Sequence, residues 1–130
     1  MTVNKDILRG NQMTVPVIIE VGAIEIPAIL NDTVTAAAFA EQLPFTVRVS
    51  RYEHDYCGSA DDLPCDTSQL RDGWSNGDIG YGAGYFSILF SGEDESAVYK
   101  DMMIIGHVDE AYLERIAKLD ASLTVTVRRT

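Results

Sequence analysis

Imidazoles and thiols are the side chains here with the widest chemical reach, and the chain has two of each: His54, His107, Cys57 and Cys65. All four are zinc-ligand types, but their spacing follows no zinc pattern, so neither a metal nor another cofactor is expected. Cys57 and Cys65 share one polar stretch. A disulfide is open to them in an oxidising compartment, and free thiols are the expectation in a reducing one. His54 stands between Glu53 and Asp55, and His107 lies two positions before Asp109. Both are candidate acid/base groups, although a carboxylate adjacent in sequence usually points elsewhere. Ser87 alternates with Phe86 and Ile88 and reads as a small filler on a strand rather than a nucleophile. Gly80-x-Gly82-x-Gly84 lacks the third spacing and the following helix of a dinucleotide loop; a hairpin turn needing positive φ explains it.

What remains is a set suited to binding. Tyr52, Tyr56, Trp74, Tyr81 and Tyr85 flank a long aperiodic stretch, with Arg48 and Arg51 beside it. Amphipathic rings next to guanidinium groups suit a peptide or small-molecule surface. The expected ligand-binding residues are therefore Arg48, Arg51, Tyr52, His54, Tyr56, Trp74 and Tyr81. In that role Arg48 would donate to a carbonyl or carboxylate while the rings cover the apolar part of the ligand.

The elements that must position these groups are mostly strands. Val15, Val17, Ile19 and Val21 alternate with polar residues and proline, and Gly22-Ala23 then suits a two-residue hairpin turn. Ile24, Ile26, Ala28 and Leu30 resume the alternation on a returning strand. Pro16 and Pro27 lack N–H donors and are expected at edges or bulges. Asn31-Asp32-Thr33 can cap a helix carrying Ala36, Phe39, Ala40 and Leu43 on one face, which Pro44 ends. Phe45, Val47 and Val49 form a third strand with Arg48 on its other face. From Arg51 to Asn76 the sequence predicts one long polar loop. Tyr85 to Phe90 is the most apolar strand, its Phe86, Ile88 and Phe90 pointing inward. Ala97 to Ile105 reads as a strand pair or one bulged strand, Asp109 caps a helix over 110–119, and Leu123, Val125 and Val127 mark a last strand.

This tally predicts a mainly β single domain, a closed barrel or sandwich with two short helices. Residues 1–12 are expected to be a loosely ordered leader and 13–130 the domain, with Met13 an alternative start. A chain of 130 residues buries roughly two thirds of its unfolded surface and needs no staple. Acidic residues outnumber basic ones 20 to 10, a net charge of -10 that repels phosphate backbones and anionic membranes. Neither nucleic acid nor a membrane is an expected partner, and a cytoplasmic location is the default.

Three runs carry a family resemblance: Gly77-Asp78-Ile79-Gly80-Tyr81 leading to Leu89-Phe90 and Gly92, Ile104-Ile105-Gly106-His107-Val108 entering a helix at Asp109, and Leu43-Pro44-Phe45. From about Val15 to Arg129 the chain resembles the small prokaryotic family of minimal cyclophilin-fold proteins. The resemblance implies a closed antiparallel barrel with a helix capping each end and a groove on its outer face, near strand three and the long loop. True cyclophilins isomerise X-Pro bonds there, using an arginine. Their phenylalanine-histidine-arginine signature is absent here, so whether the chain is an enzyme stays open. The leading expectation is a binding domain, the alternative a peptidyl-prolyl isomerase with Arg48 as its catalytic arginine, and the third a self-associating barrel.

Overall fold

The computed structural model describes residues 14–130; the expected leader and the alternative start at Met13 lie outside the described residues. Eight strands close into one antiparallel barrel in the order β1-β2-β7-β5-β6-β4-β3-β8. β1 (Val15–Val21) and β2 (Ile24–Leu30) follow the predicted alternation, with Val17, Ile19, Ile26 and Leu30 buried. Gly22 turns the corner between them at φ +59°. Thr33 then caps α1 (Val34–Glu41), its side chain accepting from the Ala36 N–H. After a cis Leu43–Pro44 bond comes β3 (Phe45–Arg51).

Closure leaves no edge strand for the two prolines. Instead each stands just beyond a ladder: β2 pairs with β7 from Ala28 to Leu30, and β1 with β8 from Val17 to Glu20. Pro27 and Pro16 are the next residues out, where no donor is required.

The stretch expected as one loop contains a strand, β4 (Asp55–Ser59), between β3 and β6. It escapes a pattern reading because Tyr56 is its only large buried side chain. The next inward position is Gly58, where an added Cβ would come within 2.1 Å of the Arg48 carbonyl oxygen on β3. β5 (Asp78–Gly82) and β6 (Tyr85–Leu89) form the central hairpin. Residues Glu93–Val98, expected partly as strand, are a 3₁₀ helix, and Val98 is 73% exposed. Only Ile104–Val108 is strand (β7). The second helix is also shorter than expected: a 3₁₀ turn at Glu110–Tyr112 leads into α2 (Leu113–Ile116). Backbone bonds from Lys118 to Arg115 and from Leu119 to Ile116 tighten its end. β8 (Ser122–Arg129) closes the barrel.

The helices plug the two ends. Phe39 of α1 packs against Phe45, Tyr81 and Phe86, with ring centroids 5.0, 5.5 and 6.0 Å away. Toward the other end the Tyr56 ring lies 5.6 Å from that of Phe90, and Ile116 is buried. Phe86, Ile88 and Phe90 all face inward, as the sequence predicts.

Candidate functional site

Outward-facing residues of β5 and β6 floor a cleft of about 530 Å³. On β5, buried Ile79 and Tyr81 alternate with Gly80 and Gly82, so beyond Asp78 the outer face of that strand carries no side chains. Across the hairpin Gly80 pairs with Ser87 and Gly82 with Tyr85. Leu63 and Leu70 form one wall, Met102 and Met103 the other.

Both walls are anchored. The first is tied to α1, where the Thr35 hydroxyl donates to the Pro64 carbonyl at 2.6 Å and the Gln69 side-chain oxygen accepts from the Val34 N–H at 2.9 Å. Between these contacts Asp66 caps a short turn at Thr67–Gln69, and bonds from Ser68 hold its carboxyl below the usual range. The walls join where Arg71 and Met102 exchange backbone hydrogen bonds of 2.9 and 2.7 Å. Asp72 completes the tie, accepting from Lys100 Nζ and the Asp101 N–H, both at 3.3 Å. Asp101 adopts φ +58°, a left-handed conformation that aspartate tolerates better than most residues. The rim carries Asp62, Lys100, Asp101 and the Cys65 thiol, and among the described residues neither imidazole nor guanidinium lines the cleft. Such a lining can hold an apolar body and accept from donors. It offers no base beside the Ser87 hydroxyl.

A profile of the cyclophilin-like family matches residues 19–128, the span that contains every element of this site. The chain belongs to the cyclophilin-like family. A hypothetical protein from Archaeoglobus fulgidus, known from a solution structure, is similar in fold, with a TM-score of 0.64 over 91% of this chain and 96% of that one. At 15% identity the likeness concerns the fold alone. No curated protein matches the chain in sequence.

This cyclophilin-like barrel distributes the expected groove residues over several places. Of them only Tyr81 lines the cleft; its ring belongs to the core and its hydroxyl donates to the Asp61 carbonyl at the start of the first wall. Arg48 lies outside on β3, donating to Thr124 Oγ1 of β8 at 3.2 Å. Tyr56 is 1% exposed, and its hydroxyl serves the carbonyls of Leu119 and Asp120 after α2. Arg51 joins it there, donating to the Ala117 carbonyl, with its guanidinium 6.0 Å from the Tyr56 ring. Tyr52 is exposed in the β3–β4 turn.

His54 and Trp74 do come together, their ring centroids 6.4 Å apart. Ser91 joins them: its hydroxyl lies 3.0 Å from His54 Nδ1, and its carbonyl accepts from Trp74 Nε1 at 2.8 Å. His107 does not take Asp109 as its partner. Its Nδ1 faces Asp78 Oδ1 at 2.8 Å, while Asp109 caps the following turn by accepting from the Ala111 N–H.

Cys57 and Cys65 are free thiols. Burial, and the Asp55 carboxylate after it, push the Cys57 thiol up. Among the described residues no group of three or more His, Cys, Asp or Glu is placed to hold a metal ion, and no helix is long and apolar enough to cross a membrane.

The sequence reading missed the cleft because its walls come from segments far apart in the chain. One signal was available: glycines alternating with Ile79 and Tyr81 on a strand mark an outer face stripped of side chains, over which something else can lie.

Proposed function

We propose that this cyclophilin-like barrel is a binding domain whose outer-face cleft over β5 and β6 takes a peptide or small ligand. The observation that carries the reading is the glycine floor between two anchored walls. Gly82 allows a ligand to approach the strand closely, with only Met103 Cβ near the space a side chain would take, while above Gly80 the Ser87 hydroxyl offers a polar contact. Leu63, Leu70 and the two methionines supply apolar contact, and methionine adapts its shape to irregular partners. Asp62 and Asp101 on the rim outnumber Lys100, which Asp72 already pairs, so with the net charge of -10 the cleft favours neutral or cationic ligands over anionic ones. The isomerase alternative requires Arg48 within reach of the bound amide, and its bond to Thr124 directs it toward β8.

The test uses a substitution that fills the floor. A Cβ at Gly82 would meet only Met103 Cβ, at 3.8 Å, so the strand accepts a side chain there. A binder found in a peptide and metabolite library is expected to shift the amide resonances of Gly80, Gly82 and Ser87. Gly82→Phe should then weaken it by about tenfold or more, with the unfolding midpoint unchanged. Binders whose shifts gather on another surface, or that ignore Gly82→Phe, defeat the reading.

A further inference from the structure

A second, smaller groove lies on a different part of the barrel. Pro16 on β1 pairs with Ile29 on β2, Ile29 with His107 on β7, and His107 with Asp78 on β5. This outward row changes along its length from apolar to ionisable. The groove has a volume of about 450 Å³, within the usual range for small-molecule sites. Pro16, Pro27 and Ile29 line it, and His107, Asp109 and Glu110 stand at one end. Ile29 is 48% exposed, a large apolar side chain that nothing in the barrel covers among the described residues.

The hydrogen bonds at the polar end determine what that end can receive. Asp78 is 5% exposed, and its Oδ2 accepts from the Ser75 N–H at 2.8 Å. Its Oδ1 faces His107 Nδ1, so with both oxygens accepting, the ring hydrogen is assigned to Nδ1. In the neutral form of the ring this leaves the lone pair on Nε2. Glu110 Oε2 lies 3.3 Å from that nitrogen, so a hydrogen is needed between them, supplied either by a proton on Nε2 or by a donor from a ligand. A group with several N–H donors and a positive charge satisfies both, and a carboxylate satisfies neither. Glu110 is 75% exposed and free to swing aside for it.

We propose that this groove binds a small apolar amine, with its hydrocarbon body on Pro16, Pro27 and Ile29 and its ammonium group between His107 Nε2 and the Glu110 carboxylate. The occupant is chosen by charge complementarity at one end and by apolar lining along the rest. Asp109 adds a second carboxylate at the rim, although one of its oxygens already caps Ala111. The site is separate from the β5–β6 cleft, and neither proposal depends on the other.

The experiment compares three probes that share one tail: hexylamine, 1-hexanol and hexanoate, titrated into the full chain near neutral pH and followed by NMR. Hexylamine, present as its ammonium ion, is expected to move the Ile29 methyl and His107 ring resonances saturably. Hexanoate should bind at least about tenfold more weakly. Glu110→Gln should weaken hexylamine by about fivefold or more, while 1-hexanol binding and the unfolding midpoint stay unchanged. Ile29→Asn should weaken all three through the apolar wall. Equal binding of hexylamine and hexanoate, hexylamine shifts spread over other acidic surfaces, or full hexylamine affinity in Glu110→Gln would each overturn the proposal. So would a lysine-bearing peptide binding this groove where hexylamine does not.

Discussion

The Tyr56 hydroxyl lies 2.9 Å from the Leu119 carbonyl oxygen, fastening β4 to the turn that follows α2. The Asp120 carbonyl is as near, at 2.8 Å, and the ring is packed between Phe90 and the Arg51 guanidinium. Removing the hydroxyl leaves these partly buried carbonyls without this donor. Tyr56→Phe is expected to destabilise the fold by about 1–2 kcal/mol in urea unfolding. Unchanged stability with lost ligand binding would return Tyr56 to the ligand surface that the sequence suggests.

Two strand glycines predict opposite outcomes for the same substitution. At Gly58 an added Cβ meets the Arg48 carbonyl oxygen at 2.1 Å, backbone against backbone in the β3–β4 pair. At Gly82 the nearest atom is 3.8 Å away. Gly58→Ala should therefore cost about 3 kcal/mol or more, because neither strand can yield without breaking its ladder. Gly82→Ala should stay within about 0.5 kcal/mol. Similar midpoints for both variants would show that β3 and β4 are not packed as described.

These glycines also explain what the sequence made legible and what it did not. Alternation exposed β1, β2, β3, β6 and β8, because in each the barrel buries every second side chain and the residues between face out. Thr33 and Asp109 marked the two helix starts through their capping side chains. β4 was hidden because close contact with Arg48 demands glycine where a hydrophobe would otherwise signal the inward face. Residues 97–99 have strand composition, yet buried Ser96 accepts from the Trp74 N–H at 2.9 Å and anchors a 3₁₀ turn there instead. The cleft was illegible for a different reason. It depends on contacts such as Thr35 with Pro64 and Arg71 with Met102, which bring walls together without leaving a period in the sequence.

Asp55 gives the pH dependence a definite sign. Burial raises its carboxyl above the ordinary range, and the nearby His54 charge opposes this only in part. A folded value above the unfolded one means that folding favours the protonated acid. The associated stability is complete below the unfolded value and is lost as pH rises through the folded value. Asp55→Asn is therefore expected to be more stable than the parent at neutral pH, with the gain shrinking toward zero in acid. Urea midpoints for both proteins across that range measure it, and a destabilised variant at neutral pH contradicts the burial account.

The two thiols offer a direct probe of the cleft. The thiolate is the reactive form, so the raised value of Cys57 slows its alkylation near neutral pH, and its partial burial slows it further. Cys65 is exposed on the cleft rim and should react first. Mass spectrometry after brief maleimide treatment is expected to find the label on Cys65, with Cys57 catching up as the pH is raised. A ligand seated over Gly80 and Gly82 should then slow labelling of Cys65 and leave that of Cys57 unaffected. Equal protection of both thiols would mean that the ligand tightens the whole barrel, and protection of Cys57 alone would move the binding surface from β5–β6 toward β4.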